Sequence, residues 1–353
     1  MSMPITPDGH RPDDLSMNET PYPPLPAIRR LVQDGSAEIN RYPDRQSLAL
    51  VAALAALLRV PQDAIVVGPG SAGLCQHLIQ AFGPKPEVVH AALTFEGFGL
   101  FVRNAGARSV AVPMNGYGHD LPAMAAAVTG ETRCVLLCNP NNPTGALAHR
   151  DEIEAFLDRI PGDVPVVIDE AYREFVTDPD APEGMDIYRA HENVCVLRTF
   201  SKAYGLAALR IGYAVLPPRM APLARLVGAV FFPGSLAQAA ALASLEPDVT
   251  AELMQRCAAL AVSRARLAGA LRGLGLTVAP SEANFLWLPL GGQATPFAAR
   301  ARESGILVWP VDGEGVRITV GSDEANDRLI EFIRDAWLGA GAPQPGSIAA
   351  RQR

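Results

Sequence analysis

Lysine is nearly absent from this chain: of 30 Lys and Arg side chains, only Lys85 and Lys202 are lysines. A primary amine can shed its proton, attack a carbonyl and form an imine, whereas a guanidinium keeps its charge and cannot. Lys85 lies in Gly83-Pro84-Lys85-Pro86, a turn between a helix and a strand, and needs no chemical role. Lys202 lies in Arg198-Thr199-Phe200-Ser201-Lys202-Ala203-Tyr204-Gly205, directly after an apolar run. An open α/β sheet places its chemistry at such strand ends.

Three further loops follow apolar runs. Gly68-Pro69-Gly70-Ser71-Ala72-Gly73 opens a helix; its small residues would let backbone N–H groups approach an anion, although such a segment also serves as a plain turn. Cys138-Asn139-Pro140-Asn141-Asn142-Pro143-Thr144-Gly145 is a rigid turn in which the Asn142 amide can face whatever the sheet binds. Val166-Val167-Ile168-Asp169-Glu170-Ala171-Tyr172 ends a buried strand with a carboxylate, which either caps a neighbouring helix or pairs with a heteroaromatic nitrogen. Arg210, eight residues after Lys202, can return to a phosphate near it, with Thr199 and Ser201 adding hydroxyls. A phosphorylated pyridine aldehyde needs that set of groups.

The elements that must position these loops follow from the pattern. Strands are expected at 64–68, 87–90, 109–113, 133–138, 164–169, 193–198 and 211–215, with helices between them at 46–58, 74–82, 121–128 and 150–160. This alternation predicts an α/β fold: a large domain with a mostly parallel seven-stranded sheet covered by helices on both faces. A helix over 248–272 leads into strands at 276–279, 284–288, 306–309 and 315–320 and helices at 296–304 and 323–338, a smaller α+β domain. Expected boundaries are an N-terminal segment 15–40 packing with the small domain as a substrate lid, a cofactor domain 41–250 and a small domain 251–340, with disorder at 1–14 and 341–353.

Composition narrows the function classes. Hydrophobic residues at 49% and charged ones at 19% describe a globular chain. A net charge of -7 without any basic block argues against a nucleic-acid partner. The five cysteines form no Cys-x-x-Cys pair and read as buried hydrophobes, so neither a disulfide framework nor a metal site is expected. No apolar stretch is long enough to span a membrane and no secretory leader is visible, which predicts a cytoplasmic protein.

The motifs Asn139-Pro-Asn-Asn-Pro-Thr-Gly145, Asp169-Glu-Ala-Tyr172 and Ser201-Lys-Ala-Tyr-Gly-Leu-Ala-Ala-Leu-Arg-Ile-Gly-Tyr213, in that order, resemble the fold-type I pyridoxal-phosphate-dependent aminotransferases of class I/II. Within them the chain is similar to the histidinol-phosphate aminotransferase-like and aromatic aminotransferase group, over about residues 15–338. The resemblance implies that Lys202 carries pyridoxal 5'-phosphate as an internal aldimine and then moves the substrate proton in a ping-pong exchange between an amino acid and a 2-oxo acid. It implies that Asp169 pairs with the pyridinium and that Tyr172 and Asn142 bond the phenolic oxygen. Ser71, Ala72, Gly73, Thr199, Ser201 and Arg210 would hold the phosphate, and Phe95 would stack on the ring unless it is ordinary core. Tyr42 would reach the phosphate of the neighbouring subunit of a homodimer. Arg317 would grip the substrate carboxylate, and Tyr22 would contact the substrate side chain.

The substrate is less determined. Where histidinol-phosphate enzymes usually carry an acidic pair after Gly-Ser, this chain has Ala72-Gly73, and where they carry an arginine before a proline it has Trp309-Pro310. A substrate phosphate would lack basic partners there, and an aromatic surface suits an apolar side chain. Phe231-Phe232-Pro233 adds apolar character. An aromatic amino acid is therefore expected, with histidinol phosphate as the alternative and amino acid decarboxylation on the same scaffold as a further one.

Overall fold

Seven apolar runs form one sheet: β1 Ile65–Gly68, β2 Glu87–Ala91, β3 Arg108–Val112, β4 Thr132–Cys138, β5 Val166–Asp169, β6 Val194–Thr199 and β7 Gly212–Val215. The computed structural model describes residues 12–227 and 232–339. Across the sheet the order is β1-β7-β6-β5-β4-β2-β3. Strands β2 to β6 are mutually parallel, whereas β7 runs antiparallel to both β6 and β1. Along β4 the side chains alternate: Val135 and Leu137 enter one core, while Cys134, Leu136 and Cys138 enter the other. An unbroken apolar run is thus a strand covered on both faces.

The helix Leu48–Leu58 buries Leu50, Leu54 and Leu58 on one side of the sheet, and the helix Gly70–Ala81 buries Leu74, Leu78 and Ile79 on the other. All five cysteines are buried and free, so they serve as packing. No helix among the described residues is long and apolar enough to cross a membrane.

A separate core gathers around a three-stranded antiparallel sheet, Phe285–Leu288, Gly315–Thr319 and Trp309–Val311. The helix Pro247–Gly273 bridges the two cores: Leu253 and Leu260 enter the first, Leu267 and Leu271 the second. The segment 15–40 is likewise divided, because Leu15 packs in the second core while Leu25 and Ile28 pack in the first.

Several expectations change. No strand forms at 276–279; Leu276 and Val278 are apolar because they fill the second core, Ala279 is buried, and the backbone N–H groups of Leu276 and Ala279 donate to the Leu271 and Trp287 carbonyls. The run 306–309 splits: Ile306–Leu307 pairs in parallel with Asp13–Asp14, and Trp309 starts the next strand. Asp13 and Asp14 therefore sit in a strand where disorder is expected. The other residues of the expected disordered ends, apart from Pro12, lie outside the described residues, as does Phe231. The final helix is α-helical over Asp323–Glu331 and then widens to a π-helix over Phe332–Leu338, which turns Phe332, Ile333 and Trp337 into the core.

Candidate active site

The ends of β1, β4, β5 and β6 converge on one cavity of about 440 Å³. At β1 the backbone turns into the helix Gly70–Ala81, whose first N–H groups lack intrahelical acceptors. Gly70 has φ +73°, and a Cβ there would lie 3.0 Å from Arg210 Nη2; a Cβ on Gly212 would lie 2.8 Å from the Ser71 backbone nitrogen. Those two glycines let the helix start, the antiparallel strand and Arg210 come together. From the β6 end, Thr199 Oγ1 accepts from the Ser201 backbone N–H at 3.1 Å, and Arg210 Nη1 donates to Ser201 Oγ at 3.2 Å. Arg210 itself is left-handed, φ 54°. Helix terminus, hydroxyls and guanidinium form a cradle sized for phosphate.

Deeper in, Lys202 Nζ donates to the Met17 carbonyl at 2.9 Å. Burial pulls its amine down to about 8, helped by the positive charges of Arg317 and Arg210. Asp169 ends β5 only 3% exposed, and its Oδ1 accepts the Ala171 N–H at 3.1 Å. Burial pushes its carboxyl up to about 7, against hydrogen bonds from Ser71 and Ala171. The Tyr172 phenol is raised by burial too; its oxygen accepts Asn18 Nδ2 at 2.9 Å, and Phe285 packs against its ring at 5.0 Å. Arg317, buried in the second-core sheet, donates through Nη1 to Asn142 Oδ1 at 2.6 Å and through Nη2 to the Ser16 carbonyl. Its Nε has no hydrogen-bond partner among the described residues, and its guanidinium lies 5.6 Å from the Trp309 ring centre.

Most residues expected at the site line this cavity. Ser71 and Ala72 stand on the helix start, Thr199, Ser201, Lys202 and Arg210 on the β6 side, Asp169, Tyr172 and Asn142 on the central loops, and Trp309 and Arg317 on the smaller sheet. Phe95 also lines it, its ring held edge-on by Phe98 at 5.6 Å. Three expected residues are elsewhere. Gly73 lies one step along the helix against the Pro69 ring. Tyr22 packs on the first core beneath Arg256, so it does not line the cavity. Tyr42 is 81% exposed and outside the cavity of its own chain. Asn18, Glu19, Met17, Glu96 and Cys138 line the cavity unforeseen; Asn18 and Glu19 lie within the segment 15–40 expected as a substrate lid.

A phosphorylated pyridine aldehyde fits these residues. Asp169 is a buried acid whose carboxyl is destabilised as an anion, the environment that a protonated ring nitrogen corrects. The cradle can hold an anion, and Lys202 lines the same cavity with its pKa lowered by burial. Fold and site together define an enzyme that uses pyridoxal 5'-phosphate. The family model for aminotransferase class I and II matches residues 14–333. The chain belongs to that family and is a transaminase.

It is 49% identical to an aromatic amino acid aminotransferase of Streptomyces coelicolor, over 94% of this chain and 92% of that protein. An aromatic amino acid aminotransferase of Thermobifida fusca is 46% identical over 94% and 91%. The crystal structure of histidinol-phosphate aminotransferase from Sinorhizobium meliloti in complex with pyridoxal-5'-phosphate is similar at a TM-score of 0.86 and 27% identity, covering 94% of this chain and 92% of that one.

Asp169 makes stability depend on pH. Its folded-state pKa, about 7, exceeds the ordinary 3.8, so on raising the pH the unfolded chain releases this proton first. The cofactor-free protein should therefore lose stability between about pH 4 and pH 7 and level off above. A cation against Asp169 removes the effect, so the cofactor-loaded protein should decline less. Glu174, also raised by burial to about 7, contributes to both forms alike. Urea midpoints of the two forms across this range check the prediction; parallel pH slopes would contradict it.

Proposed function

We propose that the enzyme transfers the amino group of an aromatic L-amino acid to a 2-oxo acid. The observation that carries the substrate assignment is Trp309, at the cavity wall beside Arg317 where a phosphate-binding arginine would serve histidinol phosphate. The names of the relatives from Streptomyces coelicolor and Thermobifida fusca support this reading. So do Glu19 and Glu96, whose carboxylates at the cavity would repel a substrate phosphate.

When bound, pyridoxal phosphate supplies an electrophilic aldehyde and a ring that draws electrons from the substrate Cα. Arg317 takes the substrate carboxylate: it donates to the neutral oxygens of Asn142 and Ser16, and no carboxylate among the described residues forms an ion pair with it, so its charge is available to an incoming anion. Lys202, close to half-neutral near pH 8, removes the Cα proton and returns it. Asp169 would hold a proton on the ring nitrogen. Tyr172 and Asn142 would bond the phenolic oxygen, Phe95 would cover the ring, and Ser71, Ala72, Thr199, Ser201 and Arg210 would hold the phosphate. Trp309 faces the substrate side chain. The reading includes a cytoplasmic homodimer in which the exposed Tyr42 completes the partner's phosphate site.

The test is a half-reaction. Loaded enzyme is mixed with Phe, Tyr, Trp and histidinol phosphate in turn, and conversion of the cofactor to its aminated form is followed by absorbance. Conversion by the aromatic amino acids is expected. A response to histidinol phosphate alone would overturn the substrate assignment, and carbon dioxide release without amination would indicate a decarboxylase.

A further inference from the structure

We propose that Asn18 is a positioning residue that fixes the direction of the Tyr172 hydroxyl, so that its proton is donated into the cavity. The inference rests on the cofactor reading above and concerns a residue outside the loops that carry the cofactor.

Asn18 is 1% exposed and held in the left-handed region, φ 53°. Every polar group it has is engaged. Its backbone N–H donates to Thr319 Oγ1 at 2.9 Å, and its carbonyl accepts Asn284 Nδ2 at 3.1 Å. Since the Thr319 hydroxyl accepts that N–H, its own proton is left for Asn18 Oδ1, 3.1 Å away. The amide orientation follows: Oδ1 faces Thr319, so Nδ2 faces Tyr172, at 2.9 Å. An amide nitrogen only donates. The phenol oxygen must therefore accept from Asn18, and its own proton has to point elsewhere. Tyr172 lines the cavity, and the phenolic oxygen assigned to it above is an acceptor.

The consequence is electronic as well as steric. A phenol that already accepts a hydrogen bond is a stronger donor. A donor to the phenolic oxygen stabilises its anionic form and so lowers the pH at which the resting, Lys202-linked cofactor loses its proton. Other charged or titratable groups face this pair: Arg317, Cys138 and Asp169 around Tyr172, and Arg317, Arg210, Glu19 and Glu96 around Lys202. They remain in place in all the variants below.

Visible absorbance of the loaded enzyme, without substrate, is titrated against pH for wild type, Asn18→Gly, Asn18→Asp, Tyr172→Phe and Asn18→Gly/Tyr172→Phe. Glycine keeps the left-handed backbone while removing the amide, and aspartate keeps both shape and backbone but accepts where asparagine donates. Tyr172→Phe should raise the midpoint. Asn18→Gly should raise it in the same direction by about half to one pH unit, the size of one hydrogen bond. Asn18→Asp should raise it further, because the carboxylate takes the phenol's proton. On the Tyr172→Phe background Asn18→Gly should add nothing. An unchanged midpoint in Asn18→Gly, a fall in Asn18→Asp, or an equal shift with and without the Tyr172 hydroxyl would each overturn the inference. A wild type with no pH-dependent visible band would instead overturn the cofactor reading, and this inference with it.

Discussion

Lys202→Arg should lower kcat for amino transfer by about 1000-fold or more, with the fold intact. General acid–base catalysis by a placed side chain is worth about 10²- to 10⁴-fold, and here the same side chain also forms the covalent link. Arginine preserves the charge and much of the length, so it isolates the chemistry. What it removes is an amine that can be neutral near neutral pH. Lys202 has that property because burial, Arg317 and Arg210 bring its pKa down to about 8. A guanidinium stays protonated in the same place and can neither attack the aldehyde nor accept the Cα proton. Single-turnover amination with phenylalanine, alongside a thermal melt, is the measurement. Transfer at the wild-type rate would remove Lys202 from the chemistry and dismantle the mechanism.

The largest effect on stability should come from Arg198→Met. Arg198 donates through Nε and Nη2 to Glu170 Oε2 at 2.9 and 2.8 Å and also binds Glu183, which Arg173 holds from its other side. The Glu170 side chain is 4% exposed and that of Arg198 14%. Glu170 follows Asp169 directly, and Arg198 precedes Thr199. The pair therefore ties together the ends of β5 and β6, the strands that present Asp169 and the Lys202 loop. Methionine keeps the apolar stem but leaves Glu170 buried without its cation. Loss of one partner of a buried pair costs about 3–5 kcal/mol.

Urea denaturation of the loaded enzyme at neutral pH should show that loss, and Arg198→Lys should recover only part of it because an ammonium cannot form the two-pronged bond. The penalty should shrink in acid. Burial raises Glu183, but Arg198 and Arg173 more than offset it, so its folded pKa lies below the ordinary 4.5. Its contribution is present above that value and disappears as the pH falls through the lower, folded one. A variant as stable as wild type at neutral pH would contradict this account.

Part of the site was legible because its residues are unusual for their positions. A lysine in a chain of arginines, and a carboxylate closing Val166-Val167-Ile168, each contradict what their surroundings favour, and both stand at strand ends. The sheet was legible for a related reason: strands buried on both faces must be mostly apolar, and the central runs 135–138, 166–168 and 194–197 are. Residues whose roles depend on partners far along the chain were not. Asn18 meets Thr319 across 301 positions and Tyr172 across 154, and nothing in Asn-Glu-Thr-Pro announces either. Tyr22 stands four residues further on, yet the path of the chain carries it to the first core beneath Arg256. The apolar run 276–279 shows the same limit, since burial in a core and pairing in a sheet leave the same pattern in sequence.

The sequence by itself determined the cofactor chemistry. Imine formation, charge pairing and phosphate binding each demand particular functional groups, and those groups have to be written locally at the strand ends. Only the tertiary structure decided how they are tuned. Burial sets Lys202 near 8 and Asp169 near 7, and the folding of residues 16–18 over the cavity places backbone carbonyls on Arg317 and Lys202 and an amide on Tyr172. Desolvation and hydrogen-bond direction are properties of packed neighbours, and no local stretch of chain contains them.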